Sequence, residues 1–199
     1  YMGKEAAADE RIALLIQLPG VGLLTAIAIL AAIGTIARFP EDRLLVGYAG
    51  LGASVHASGE SYTTGRITKT GRRDLRGAMV EAANSAVMHH PFWKAELERM
   101  ERRLGRSKSV VAIARKLLIA VWHVLTQDVL DKHADARGIA RSLFATAYRI
   151  KVRNLPDGMS ALQWTRLQLD RLGLGAEVKE IPWGSKSFKL PPSRMVTTR

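Results

Sequence analysis

Apolar residues recur at helical spacing along most of this chain, and the places where that period breaks divide it. Ile12, Leu15, Ile16 and Leu18 mark a short helix over 9–18, interrupted by Pro19, Gly20, Val21 and Gly22. Residues 23–33, rich in Ala, Leu and Ile, predict a second helix ended by Gly34. Pro40 opens the next helix at its first position, with Glu41 and Asp42 in the first turn and Gly50 as its stop. From 51 to 69 the helical period disappears, and Gly, Ser and Thr dominate. That stretch predicts a strand over 54–57, a turn through 59–65 and a strand over 66–69, a hairpin with a longer loop than the two-residue kind.

Beyond it, Thr70 is positioned to cap a helix over 71–89, in which Leu75, Met79, Ala82, Ala83, Ala86 and Val87 line one face. Pro91 begins a helix to Leu104, and Ser107 caps a helix over 108–130 whose apolar residues nearly encircle it, as in a central core helix. The pattern then weakens. Residues 131–141 predict a short helix, 143–152 fit either period, 154–158 form a turn, and Ser160 caps a helix over 161–172 closed by Gly173. The expected fold is therefore mainly α. It consists of a helix-hairpin-helix (11–34) and a helical bundle (71–130), with one small β-hairpin (51–70) inserted between them. These make a domain over 1–130, followed by a helical extension over 131–180 and an extended or flexible basic tail over 181–199.

Charge narrows the partner. Lys and Arg number 30 against 18 Asp and Glu, a net charge of +12. That excess favours a polyanion, because neutralised phosphates release counterions. The chain has no cysteine, which excludes disulfides and thiol–zinc sites and is compatible with a reducing cytoplasm. The apolar run 21–33 is too short to span a bilayer, which needs about 20 residues. The later run 110–125 carries Arg115 and Lys116 midway and reads as a buried helix. The abrupt start at Tyr1, Met2 and Gly3 is what a fragment boundary would produce.

Two stretches are candidates for phosphate contact. In the turn Gly20, Val21 and Gly22, with Thr25 beyond it, the glycines permit unusual backbone conformations and present amides at a helix N-terminus, where donors and dipole favour an anion. Ser58 and Gly59 are followed by Arg66, Lys69, Arg72, Arg73 and Arg76. Cations in the first turns of a helix oppose its dipole by a few tenths of a kcal/mol each, a cost that a phosphate would relieve, with a solvated basic face as the equal alternative. A serine hydroxyl needs a base or metal to become a nucleophile. His56 shares a strand face with Ser58, although an ordinary strand histidine is the plainer reading. Ser54 and Ser61 are the competing serines. His56, His89, His90, His123 and His133 show no ligand spacing, so no metal site is expected in this chain. Asp74 and Glu81, seven apart on one helix face, are expected to pair with neighbouring arginines rather than hold Mg2+. Trp93, Trp122, Trp164 and Trp183 are spread out in sequence and are not expected to form a stacking platform for single strands.

Several short motifs keep a common order: Leu18 to Gly22 with Thr25 and Ala26; Arg38, Phe39 and Pro40; Tyr48 to Leu51; Ser58 and Gly59; Gly65 to Lys69; and Gly71. In this the chain resembles, over about residues 11–126, the C-terminal transposase domain of insertion-sequence transposases related to the Piv site-specific DNA invertase. Some members are bridge-RNA-guided recombinases. The resemblance implies a serine nucleophile, here Ser58, that attacks a DNA phosphodiester and holds the strand covalently. It also implies a separate N-terminal RNase-H-like domain whose carboxylate tetrad binds Mg2+, joined through a coiled coil. The partners implied are DNA, a guide RNA in some members, and further copies of the protein on DNA. The alternative reading is a non-catalytic helix-hairpin-helix nucleic-acid-binding module. A third is a helical protein–protein scaffold, for which DNA binding would be weak and insensitive to salt.

Overall fold

The computed structural model of the chain describes residues 2–58 and 61–194, and of residues 2, 55–58 and 61–66 the backbone alone. In chain order the elements are α1 (Met2–Ala8), α2 (Glu10–Ile16), α3 (Leu23–Ile33), α4 (Asp42–Tyr48), β1 (Ala53–Ser58), β2 (Ser61–Ile67), α5 (Arg73–His89), α6 (Pro91–Leu104), α7 (Arg106–Gln127), α8 (Ala136–Ile150), α9 (Ala161–Arg171), β3 (Glu180–Trp183) and β4 (Lys186–Lys189). The fold is mainly helical, as the apolar periodicity predicts. Two compact units form, one of Pro19–Gln127 and one that gathers Tyr1–Leu18 with Asp128–Arg199. The N-terminal segment, placed with the first domain from sequence, thus clusters with the C-terminal one.

In the Pro19–Gln127 unit, α5 packs against α3, α6 and α7, and α7 also meets α4. Every apolar position expected on the inner face of α5 is buried, including Leu75, Met79, Ala82 and Ala86. On α7, Ile113, Ala114, Leu117, Leu118 and Val121 have no exposed surface, as expected of a core helix. By length and composition α7 could cross a bilayer, but here its apolar face is covered by protein. Its outer Lys116 joins Arg99 in pairing with Glu96 of α6.

Several boundaries differ from expectation. Helix α4 starts at Asp42, with Glu41 rather than a residue before Pro40 at its N-cap. Helix α5 starts at Arg73, with Arg72 at the cap in place of Thr70. The β1–β2 hairpin is longer and its loop shorter than predicted. Ser58 pairs with Ser61, and Gly65 lies inside β2 rather than in a turn. Tyr62, Thr63 and Thr64 are strong strand formers, and they extend β2 through a segment whose Gly and Ser content signalled a loop.

In the other unit, α8 packs against α1, α2, α9 and β3. It is one helix through the region where the sequence pattern was ambiguous, and Asp135 caps it by accepting from the Gly138 amide at 2.9 Å. The predicted Ser160 cap on α9 is present, with Gln163 completing a capping box. Residues 181–189, expected within an extended or flexible tail, form a second hairpin together with Glu180, with Ile181 fully buried and paired with Phe188. Arg166 explains why. Its guanidinium is buried on α9 and donates to the carbonyls of Pro191, Gly175 and Val178 at 2.7, 2.6 and 2.8 Å, tying the last segment down.

Candidate functional site

The base of the β1–β2 hairpin is a clamp. Helix α4 ends as Gly50 turns to φ +66° and the Leu51 amide reaches back to the Val46 carbonyl, a glycine stop. The chain runs out through β1, returns through β2, and is tied to its own starting point. The Thr68 amide donates to Gly52 at 2.9 Å, Lys69 to Gly50 at 3.2 Å and Arg72 to Tyr48 at 2.8 Å. Gly71 is needed at this crossing: its φ is +126°, and a Cβ would stand 2.3 Å from the Tyr48 carbonyl oxygen. Arg76 Nη1 then donates to the carbonyls of both Ala49 and Lys69, at 3.0 and 3.3 Å. One guanidinium therefore holds the outgoing and returning strands together.

The five cations proposed from sequence separate into different roles. Arg76 is committed to the clamp. Arg72 is committed to Asp74, through Nε at 2.9 Å and Nη2 at 2.5 Å, and its Nη1 donates to the Tyr48 hydroxyl at 3.3 Å. Asp74 thus pairs with an arginine as expected, whereas Glu81 has no ion pair among the described residues. The Arg72 guanidinium, aided by the Leu75 amide, holds its carboxyl well below the usual carboxylate range, and Asp74 in turn raises the guanidinium. Lys69 and Arg73 are exposed and have no ion pair among the described residues. Lys69 holds a left-handed backbone at φ +56°. The side chain of Arg66 lies outside the described residues.

Sequence reasoning passed over Arg38. Its guanidinium carbon lies 5.5 Å from the centres of both the Phe39 and Tyr48 rings, and Nη1 donates to the Ile33 carbonyl at 3.3 Å. The Tyr48 hydroxyl donates to the Ala32 carbonyl at 3.2 Å, so one phenol links Arg38, α3 and Arg72. The signal in the sequence was an arginine next to one aromatic residue, Phe39, and nothing in the linear order brings Tyr48 to it.

Ser58 is the last residue of β1, and its backbone faces Ser61. Its side chain and that of His56 lie outside the described residues, as does Gly59. The strand from Ala53 to Ser58 rises roughly 3.3 Å per residue, which puts Ser58 about 17 Å from the clamp. Lys69, Arg72, Arg73 and Arg76 therefore sit at the opposite end of the hairpin from Ser58. At this spacing Lys69, Arg72 and Arg73 are too far from that serine to stabilise a phosphorus centre attacked by it.

The Pro19–Gly22 turn has a packing explanation of its own. Gly20 has φ +81° and lies against α5, where a Cβ would stand 2.1 Å from the Ala82 carbonyl oxygen and 2.7 Å from the Ala86 nitrogen. Val21 is buried at 4% exposure, which removes its side chain from any surface contact. Gly22 caps α3, and the amides of Leu23, Leu24 and Thr25 find no acceptor among the described residues, as at any open helix start. Helices α2 and α3, the two arms of the expected helix-hairpin-helix, belong to different compact units.

Among the described residues no three His, Asp or Glu side chains gather into a metal-binding cluster. Residues 12–98 match the model of the family described as Transposase IS116/IS110/IS902 family. This stretch is similar to a transposase domain of that family. The chain is 32% identical over 130 residues to the transposase for insertion sequence element IS1111A of Coxiella burnetii, a match covering 62% of this chain and 35% of that protein. It is 33% identical over 124 residues to the pilin gene-inverting protein of Moraxella bovis, covering 60% of this chain and 38% of that one. The matched part is thus just over a third of the length of either relative. The family match spans the α3 turn, the clamp, the hairpin and α5, so the transposase domain and the geometry above coincide.

Proposed function

We propose that this chain is the DNA-contacting part of a transposase or site-specific recombinase that acts on insertion-sequence DNA, with Ser58 as the nucleophile. Support comes from the family match together with one spatial relation: a hairpin clamped at its base, with exposed Lys69 and Arg73 there and Ser58 at its far end. Along the axis of a duplex the phosphates of one strand rise 3.4 Å or so each, so an axial separation of about 17 Å corresponds to about five of them. Lys69 and Arg73 then hold flanking phosphates while Ser58 meets another, and Arg66 along β2 falls between. Such contacts fix register without reading bases. Gly20 and Val21 serve packing in this reading, whereas Gly22 and Thr25 present the open amides of α3 to a further phosphate.

In the chemical step the Ser58 hydroxyl oxygen forms a bond to phosphorus as the bond from phosphorus to one bridging oxygen breaks. The hydroxyl proton passes to a base, for which His56 on the same strand face is the candidate. The leaving sugar oxygen is released and the strand is retained as a phosphoserine ester. Mg2+ is assigned to a domain outside these residues, and no step here runs through it. Exchange between two duplexes needs more than one copy, so assembly on DNA is expected to be homo-oligomeric. Because these contacts carry no base information, a guide RNA is the candidate for target choice. The setting is the cytoplasm.

Incubation of end-labelled insertion-sequence DNA with a protein that joins this chain to the RNase-H-like, Mg2+-binding domain, followed by denaturing electrophoresis, tests the nucleophile; the 199-residue chain alone is expected to be inactive. Wild type is expected to yield a denaturation-resistant adduct that Ser58→Ala abolishes. An adduct that persists in Ser58→Ala removes Ser58 from the mechanism. Duplex binding with no adduct in wild type favours the non-catalytic module.

A further inference from the structure

The tryptophans are scattered in sequence, but the fold brings one of them into a cluster of four rings on the C-terminal unit. Phe144 of α8 is central, with the rings of Tyr148, Trp183 and Phe188 at centroid distances of 5.1, 5.4 and 5.4 Å. Phe144 is buried, whereas Tyr148 and Trp183 remain 56% and 44% exposed. With Ala145 and Arg149 they line an open cleft of about 520 Å³. Exposed indole and phenol rings around one cleft are unusual on a surface that has no need of them.

The cleft is also cationic. From 136 to 153 the chain carries Arg137, Arg141, Arg149, Lys151 and Arg153 and no acid. At 100° per residue, Arg137, Arg141 and Tyr148 fall within about 40° of one another on α8. On the hairpin Lys186 stands opposite Trp183. The side chains of Arg137, Arg141, Arg149 and Lys186 are exposed and form no ion pair among the described residues. An acidic peptide would engage the cations and leave the ring faces bare. An apolar protein patch would cover the rings and strand the cations. A duplex hides its base faces, but unpaired nucleotides offer stackable bases and phosphates together.

We propose that this cleft binds single-stranded DNA, with bases stacked on Trp183 and Tyr148 and phosphates held by Arg141, Arg149 and Lys186. The choice of DNA rests on the function proposed above, since strand cleavage and exchange expose unpaired bases. The cleft itself stands on its own geometry.

Fluorescence anisotropy of labelled oligo(dT) with the 199-residue chain at fixed salt tests this, alongside blunt duplex DNA and oligo(U). Trp183→Ala and Tyr148→Ala are each expected to weaken oligo(dT) binding about tenfold, while Trp183→Phe retains most of it. Duplex binding should stay unchanged. Arg149→Glu alters an exposed charge without touching the ring packing and should weaken oligo(dT) binding too, so the test survives even where Trp183→Ala disturbs the hairpin in a thermal melt. Unchanged oligo(dT) binding in Arg149→Glu and Tyr148→Ala, or an equal loss for duplex, overturns the proposal. Tighter binding of oligo(U) than of oligo(dT) overturns the assignment to DNA. The Lys69→Gly/Arg73→Ala double variant separates the two sites. Loss of duplex binding with oligo(dT) binding retained supports the cleft, whereas loss of oligo(dT) binding there, with the cleft variants silent, overturns it.

Discussion

Arg76 and Arg73 are near neighbours on α5, and their surroundings give them opposite tasks. Arg76 satisfies two carbonyls at the clamp, and removing a donor from part-buried acceptors is costly. Arg76→Ala is expected to destabilise the chain by about 2 kcal/mol in urea denaturation. Arg73→Ala removes an exposed side chain and should shift stability by no more than about 0.5 kcal/mol. If Arg73 holds a phosphate, the same substitution should lower the salt dependence of duplex binding by about one unit of log–log slope. Lys69 allows charge and backbone to be separated, because its φ of +56° is one that glycine adopts without steric cost. Lys69→Gly is expected to leave stability within about 1 kcal/mol of wild type while weakening duplex binding, with thermal melts and titrations as the two measurements.

Among the elements, the pairing of α6 with α7 carries a defined pH dependence. Glu96 is mostly buried at 12% side-chain exposure and accepts from Arg99 at 2.8 Å and from Lys116. The Arg99 hydrogen bonds first, and that of Lys116 next, hold its carboxyl at about 2, against an ordinary value of 4.5. The folded value is the lower one, so the pair's contribution to stability is complete above pH 4.5 and is lost as pH falls through about 2. Urea midpoints measured across that window should fall less steeply in Glu96→Gln than in wild type. The β1–β2 hairpin shows the complementary limit of reading elements locally. Tyr62, Thr63 and Thr64 favour strand, Gly65 and the serines favour turn, and the cross-strand pairing of Ser58 with Ser61 decides between them.

At the scale of the molecule, the two chain ends build one core. The Trp164 indole donates to the Ala7 carbonyl at 3.3 Å, Gln17 bridges Val129 and Asp131, and Arg171 pairs with Glu10 at 3.0 Å. Ile12, Leu15 and Ile16 of α2 are buried in that unit. Deleting residues 128–199 is therefore expected to bare the α2 face and yield an aggregating protein by size-exclusion chromatography, although the family match ends at residue 98. Deleting residues 2–18 together with 128–199 should restore a monodisperse species.

Local chemistry written in the sequence determined much of this protein. Apolar spacing laid out α3, α5, α6 and α7, Ser160 started α9, and Gly50 and Gly105 ended helices, because each signal acts within a turn or two of the chain. The cationic excess favoured a polyanion as partner, and the ordered motifs from Leu18 to Gly71 carry the resemblance to a transposase domain. Tertiary structure alone decided which cations stay available. Arg72 and Arg76 look identical to Arg73 in sequence, yet one finds Asp74 and Tyr48, another finds two backbone carbonyls, and the third faces solvent. It also decided that Gly20 serves close packing on α5 and that Trp183 joins Tyr148 in one cleft. These outcomes depend on residues far apart in the chain, whose meeting follows from burial of the whole core and not from any local preference.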